Sequence, residues 1–257
     1  MSYIQAENLV KQYGSGDAAV TAVGGMSFDI EVGEFVVVMG ESGSGKSTLL
    51  SMMGALNTPT SGSYWVDGLK VYQLESDRRA DFRREFLGFV FQSFHLVPYL
   101  TLIENVMLPL VTLKTSSQKK RTMAEEALSR VDLDSKVHRL PGEISGGEQE
   151  RVAIARAIVN EPPILLADEP SGNLDTKTSR EIMNLFRTLN DDGMTIVMVT
   201  HSGDCASYAR RMLRVADGLL VEDVRQGEQN SVAGDGVLGS SMDSMAAQLD
   251  LWTVNRG

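Results

Sequence analysis

Cysteine is all but missing from this chain of 257 residues. Cys205 stands alone, which excludes an intramolecular disulfide framework and fits a reducing compartment. Long apolar runs are missing too: residues 35–39 and 164–167 fall far short of the ~20 residues a membrane-spanning helix needs. There is no basic excess, since 24 Lys+Arg face 34 Asp+Glu for a net charge of −10. That balance disfavours a sequence-independent hold on nucleic acid, where cations must neutralise phosphates. It also argues against adsorption to anionic lipid, local basic patches excepted. Residues 1–30 carry no basic stretch followed by an apolar one, so no secretory signal is expected and the chain should be soluble and cytosolic. What is present is ordinary. The 42% hydrophobic and 23% charged content excludes wholesale disorder, and the length allows one large domain or two smaller ones.

Residues 4–11 and 26–30 alternate like strands around a Gly/Ser turn at 14–17. Phe35-Val-Val-Val-Met39 is then a continuous apolar run ending at a glycine, as in a strand covered on both faces. Residues 164–167 and 195–199 repeat that pattern, each near a helical segment, which predicts a parallel α/β sheet. Between them, residues 93–160 read as helix and loop. A cap near Ser117 precedes Ala124, Ala127, Leu128 and Val131 at helical spacing, and residues 148–160 form a second amphipathic stretch stopped by Pro162-Pro163. Residues 223–257 differ in kind: polar, with five acids against two arginines, and with Met242, Met245, Ala246, Leu249 and Trp252 able to share a helical face.

Two motifs carry chemistry. Gly40, Glu41, Ser42, Gly43, Ser44, Gly45, Lys46 and Ser47 match G-x-x-x-x-G-K-[ST] between a predicted strand and a helix starting near Lys46, with Thr48 inside that first turn. The glycines let consecutive N–H groups curl around a phosphate chain, and the helix N-terminus adds partial positive charge. Lys46 is expected to reach the β- and γ-phosphates and Ser47 to ligate Mg²⁺. A glycine-rich turn with a chance lysine is the bland alternative, and the strand–loop–helix setting weighs against it. This loop is expected to bind a nucleoside triphosphate. Downstream, Ile164-Leu-Leu-Ala-Asp168-Glu169 delivers two carboxylates at a strand end. Successive strand residues face opposite ways, so the acids divide the work: Asp168 with Mg²⁺, Glu169 polarising a water that attacks the γ-phosphate.

Ser145-Gly-Gly-Glu-Gln-Glu-Arg-Val-Ala-Ile-Ala-Arg156, 23 residues ahead of Asp168, resembles the signature of ATP-binding-cassette (ABC) ATPases, and the resemblance spans residues 3–222 with every motif in family order. It implies a P-loop NTPase fold: a RecA-like parallel core, an N-terminal antiparallel β subdomain and an inserted helical subdomain. The corresponding division is core 1–91 and 161–222, helical part 92–160, and a tail 223–257. The resemblance also implies roles: Tyr13 stacks on adenine, Gln92 is the Q-loop glutamine beside metal and γ-phosphate, the D-loop runs from Ser171 to Asp175, and His201 is the switch histidine. Ser145, Gly146 and Gly147 precede a helix and so offer a hydroxyl and free N–H groups to an anion. In the family that second cradle serves the ATP of another copy, so two chains sandwich two nucleotides with Mg²⁺. Hydrolysis removes the bridging γ-phosphate and the halves part.

Asn173 and the run Phe91–Pro109 resemble the lipoprotein-release and macrolide-exporter branch. That implies a separate integral membrane permease with a large extracytoplasmic domain, docked near residues 92–109, and a place on the cytoplasmic side of the inner membrane. The cargo would be recognised by that partner. Two departures stand out: Ile144 replaces the usual leucine, and Glu148 and Glu150 stand where glutamines are frequent, adding charge near the signature helix N-terminus. The competing expectation, a soluble ABC ATPase acting on DNA or ribosomes, lacks the long coiled coils or second cassette of those relatives. A P-loop kinase leaves the signature unexplained. Basic clusters at Arg78, Arg79, Arg83 and Arg84, at Lys119, Lys120 and Arg121, and at Arg210 and Arg211 read as solvated helix faces, with contact to the membrane subunit or lipid headgroups as the alternative. His95 and His138 have no metal-ligand spacing with each other or with Cys205.

Overall fold

The computed structural model describes residues 2–225; the stripe from Met242 to Trp252 lies outside the described residues. Strands β1 (Ile4–Tyr13), β2 (Val20–Ile30), β4 (Ser61–Val66) and β5 (Leu69–Lys70) form an antiparallel sheet in the order β2-β1-β4-β5. A second sheet has the order β10-β9-β3-β8-β7-β6, from β3 (Phe35–Met39), β6 (Leu87–Phe91), β7 (Ile164–Asp168), β8 (Thr195–Thr200), β9 (Arg211–Ala216) and β10 (Leu219–Arg225). All its neighbours run parallel except the β9–β10 hairpin at the edge. The β-branched run of β3 and all six residues of β8 are buried, save a half-buried Met39, as a strand covered on both faces requires.

Helices α1 (Lys46–Met53), α2 (Ser76–Phe86), α3 (Leu102–Met107), α4 (Ser117–Ser129), α5 (Gly146–Ile158), α6 (Thr176–Asp191) and α7 (Gly203–Ala206) complete the chain. The cap of α4 is Ser116, whose hydroxyl accepts from the Lys119 N–H at 3.2 Å. Ala124, Ala127, Leu128 and Val131 are buried in one core cluster with Leu102, Val106 and Val152. The second predicted helix starts two residues earlier than its apolar pattern, because Ser145 caps it at Gly146. The strands at 61–66 and 87–91 and the β9–β10 hairpin were not anticipated, and α2 and α6 were expected only as helical segments without bounds. For β6, the run Leu-Gly-Phe-Val-Phe is short and interrupted by glycine, so periodicity does not separate strand from helix. For α6 a signal existed: the Asp175 cap and the buried Ile182, Met183, Phe186 and Leu189 at helical spacing.

Arg211 corrects an expectation. It does not lie on a solvated helix face but on β9, 4% exposed. Its guanidinium donates to both Asp223 oxygens at 2.7 Å, to the Asp29 carbonyl at 2.8 Å and to Glu34 at 3.3 Å, joining both sheets and the hairpin. The hydrogen bonds from Arg211 hold the Asp223 carboxyl below the usual aspartate range. Arg211→Met strands these acceptors and is expected to lower unfolding stability by about 3 kcal/mol, read as a drop in urea midpoint. An unchanged midpoint would show that the cluster is dispensable. On α2 the arginines are likewise engaged: Arg83 donates to the Ala55 carbonyl at 3.0 Å, and Arg84 pairs with Asp81 at 2.7 Å and Glu85 at 2.9 Å.

Candidate nucleotide site

The parallel register brings the chemistry to one level. Phe91 pairs with Asp168, Asp168 with Val199, and Met39 with Thr200. The residues that follow those strand ends, Gln92, Glu169, His201 and Gly40, therefore emerge together at the carboxyl edge of the sheet, where open α/β sheets take ligands.

The loop 40–45 is built on close backbone approaches. Gly45 has φ +102°, and a Cβ there would lie 2.1 Å from the Ala22 carbonyl oxygen; a Cβ on Gly40 would lie 2.1 Å from that of Val215. Only glycine fits either position. β2 and the β9–β10 turn thus back the loop from outside. Lys46 is buried, its Nζ donating to the Gly40 and Glu41 carbonyls at 2.8 and 2.7 Å, which curls the loop over the ammonium. Ser44 Oγ is buried without a hydrogen-bond partner. An orphaned hydroxyl, a buried cation and the free N–H groups of α1 suit a phosphate chain.

Ser47 Oγ donates to Asp168 Oδ1 at 3.2 Å. Burial pushes the Asp168 carboxyl above the ordinary range, opposed by that hydrogen bond. A hydroxyl and a carboxylate side by side are hard oxygen donors of the kind Mg²⁺ takes alongside substrate phosphate and water. Glu169 engages a different partner. Its φ of +46° is a left-handed, strained conformation for a non-glycine residue, held by its N–H on the Val199 carbonyl at 2.9 Å. The carboxylate meets His201 Nδ1 at 2.8 Å, with the imidazole largely exposed. Gln92 joins them: a Cβ on Gly172 would lie 3.2 Å from Gln92 Nε2 and 3.4 Å from Glu169 Oε2, so that glycine clears room for both side chains.

Tyr13 is 44% exposed at the end of β1. Its ring has Lys11 Nζ at 5.1 Å, and its hydroxyl accepts from Asn57 at 2.5 Å. Ser145, Gly146 and Gly147 open α5, with Ser145 as N-cap in a capping box closed by Glu148. Asp175 caps α6, accepting from the Lys177 and Thr178 N–H groups.

Two supporting contacts escaped sequence reasoning. Asn173 donates to the Gln92 carbonyl at 3.0 Å, and Arg156 donates to the Phe94 and His95 carbonyls at 2.6 Å each, gripping two consecutive left-handed residues after Gln92. Neither pairing leaves a trace in local spacing. The two signature-region acids also part company. Glu148 is charged, its carboxyl held below the usual range by Lys136 and the Ser145 N–H. Glu150 corrects the expectation of added charge: it is fully buried, neither carboxyl oxygen has a partner, and burial pushes it up to about 9, so it is protonated at neutral pH.

A Walker-type loop, a strand-end acid pair and a second glycine-bearing helix cap on one mixed sheet define an ATPase of the ATP-binding-cassette class. The family described as ABC transporter matches residues 23–172, and the chain belongs to it. It is 43% identical over 223 residues to the uncharacterised ABC transporter ATP-binding protein MJ1508 of Methanocaldococcus jannaschii, covering 87% of this chain and 100% of that protein. It is 46% identical over 227 residues to the macrolide export ATP-binding/permease protein MacB of Rhodopirellula baltica, covering 87% of this chain but 33% of that one. The chain thus spans about a third of the length of the MacB relative. Among solved structures it is similar to the cassette MJ0796 in a dimeric post-hydrolysis state bound to ADP and Pi, with TM-score 0.79, 41% identity, and coverage of 86% of this chain and 98% of that chain. Among the described residues no helix is long and apolar enough to cross a membrane.

Proposed function

We propose that two copies of this chain clasp two ATP molecules head to tail and hydrolyse them to drive a separate membrane subunit. The loop from Gly40 to Ser47, with Thr48 behind it, holds the phosphates, Lys46 meeting the β- and γ-phosphoryl oxygens. Ser47, Asp168 and Gln92 would hold Mg²⁺, which when bound offsets phosphate charge. Glu169 orients and deprotonates the attacking water, and His201, hydrogen-bonded to it, fixes the carboxylate and faces the γ-phosphate. Tyr13 stacks on the base. Ser145, Gly146 and Gly147, with Asp175 of the D-loop, close on the nucleotide of the other copy. The observation that carries this reading is the common level at which Gln92, Glu169 and His201 leave three adjacent strands beside the phosphate loop. The dimeric state of MJ0796 supports the pairing.

The membrane subunit is proposed from the ATP-binding/permease relatives. Its dock is the groove lined by Leu87, Phe89, Phe91, His95, Leu108 and Pro109, rimmed by Arg83, Arg84 and Arg156. By the branch resemblance that subunit has a large extracytoplasmic domain and holds this chain on the cytoplasmic side of the inner membrane. The division into core 1–91 and 161–222, helical part 92–160 and tail belongs to the same reading, with one correction: Asp223–Arg225, placed in the tail by composition, complete β10 and pair with β9, so the core runs through Arg225. Nucleic acid is not a partner, as the net charge of −10 argues. The test is sedimentation of Glu169→Gln with Mg-ATP. A dimer that forms with ATP and dissociates with ADP is expected; a monomer under both conditions overturns the scheme.

A further inference from the structure

Glu148 puts a negative charge inside a site meant for an anion. Its Oε2 accepts from the Ser145 N–H at 2.9 Å and the Ser145 hydroxyl at 3.0 Å, so the carboxylate touches the very hydroxyl that caps α5. A bare carboxylate there would repel an incoming phosphate by an amount comparable to what one phosphate contact contributes. The other carboxylate oxygen, Oε1, is met by the ammonium of Lys136. Lys136 ends the 3₁₀ turn Asp134–Lys136, twelve residues earlier in the chain and on a separate element. Both side chains are partly exposed, at 34% and 25%, so the pair faces the surface that α5 presents rather than the core.

We propose that Lys136 is a working part of the anion cradle at the start of α5: by neutralising Glu148 it lets the Ser145–Gly147 turn accept the terminal phosphates of a nucleotide held by a second copy. The ammonium meets Oε1 while Ser145 meets Oε2, so Lys136 offsets the carboxylate's charge through a different oxygen and leaves the hydroxyl its own contact. As phosphate arrives, the Ser145 hydroxyl turns its proton from Glu148 to the ligand. The carboxylate keeps Lys136 as its partner, and nothing is left unpaired. Lys136 is a positioning and charge-balancing residue, not a catalytic one. The inference rests on the reading of this helix end as the contact to the other copy's nucleotide.

The experiment measures ATP-driven dimerisation of the full chain by sedimentation in a Glu169→Gln background, with Mg-ATP titrated at low and high salt. Lys136→Met is expected to raise the dimer dissociation constant about 10- to 100-fold, since two such sites close in each dimer, and to lose most of that penalty at high ionic strength. Adding Glu148→Gln to Lys136→Met is expected to restore dimerisation, and Glu148→Gln alone to leave it intact or tighter. If Lys136 merely braced the fold, Glu148→Gln alone would be as harmful as Lys136→Met and the pair of changes would not recover. That pattern overturns the proposal, as does a Lys136→Met protein that dimerises like its parent. Ser145→Arg is the separate control: if it leaves dimerisation intact, the cradle itself is misassigned, whatever Lys136 does.

Discussion

Glu169→Gln is expected to cut ATP turnover by roughly 10²–10⁴-fold while leaving ATP binding in place, the range a positioned general base contributes. The substitution keeps the size of the side chain and one oxygen to accept from His201 Nδ1, 2.8 Å away in the parent, so the loop has no reason to rearrange. What disappears is the ability to take a proton from water. The neighbouring acid cannot stand in. Asp168 shares its carboxylate with Ser47 at 3.2 Å, while the Glu169 carboxylate is held by His201 on a backbone at φ +46°. Phosphate release under single-turnover conditions, paired with nucleotide affinity from a fluorescent analogue, separates the two effects. Turnover within a few-fold of the parent would remove Glu169 from the role of base. A loss of affinity equal to the loss of rate would instead assign it to holding nucleotide.

The second large effect concerns stability and pH. Glu150 has a folded pKa pushed up to about 9 by burial, against an ordinary value of 4.5. Between those values the unfolded chain has released the proton and the folded chain still holds it, so the folded state binds more protons and stability falls as pH rises. The slope reaches about 1.4 kcal/mol per pH unit, which accumulates to roughly 4 kcal/mol at pH 7.5. Nearby Arg156 eases the cost of the charged form, and burial still outweighs it. Glu150→Gln removes this titration and replaces a neutral acid by a neutral amide of the same shape. Urea midpoints of the two proteins are therefore expected to lie close together at pH 5 and to diverge by pH 8, with the glutamine variant the more stable. Parallel pH profiles would mean that Glu150 finds a charged partner or water in solution.

Both effects arise from a short stretch whose visible and hidden parts can be separated. The phosphate loop, the acid pair and the helix after Ser145 could be recognised from the chain alone, because each is a run of consecutive residues whose chemistry depends on local geometry. Glycine at 45 announces a left-handed turn; Ser145 followed by Glu148 announces a capped helix. The amphipathic pattern of α4 announced its buried face in the same way. Short strands were harder. β6 and β9 are five and six residues, one broken by glycine and the other begun by an arginine that looks like a surface residue. Arg211 became a core residue because Asp223 on β10, the Asp29 carbonyl on β2 and Glu34 in the turn before β3 converge on it, which no periodicity reports.

From its sequence this chain already reads as a nucleoside-triphosphate-binding α/β protein of the ABC class, with Lys46, Ser47, Asp168 and Glu169 expected at its centre. Phosphate recognition is a contiguous backbone device, and contiguous devices survive in one dimension. The charge states and alignments were decided only in three. Whether Glu148 is neutralised by Lys136 and Glu150 keeps its proton depends on desolvation and pairing by residues remote in the chain. So does the grip of Arg156 on the turn after Gln92. The level meeting of Gln92, Glu169 and His201 depends on strand register, and register is set by side-chain packing between strands that the sequence keeps far apart.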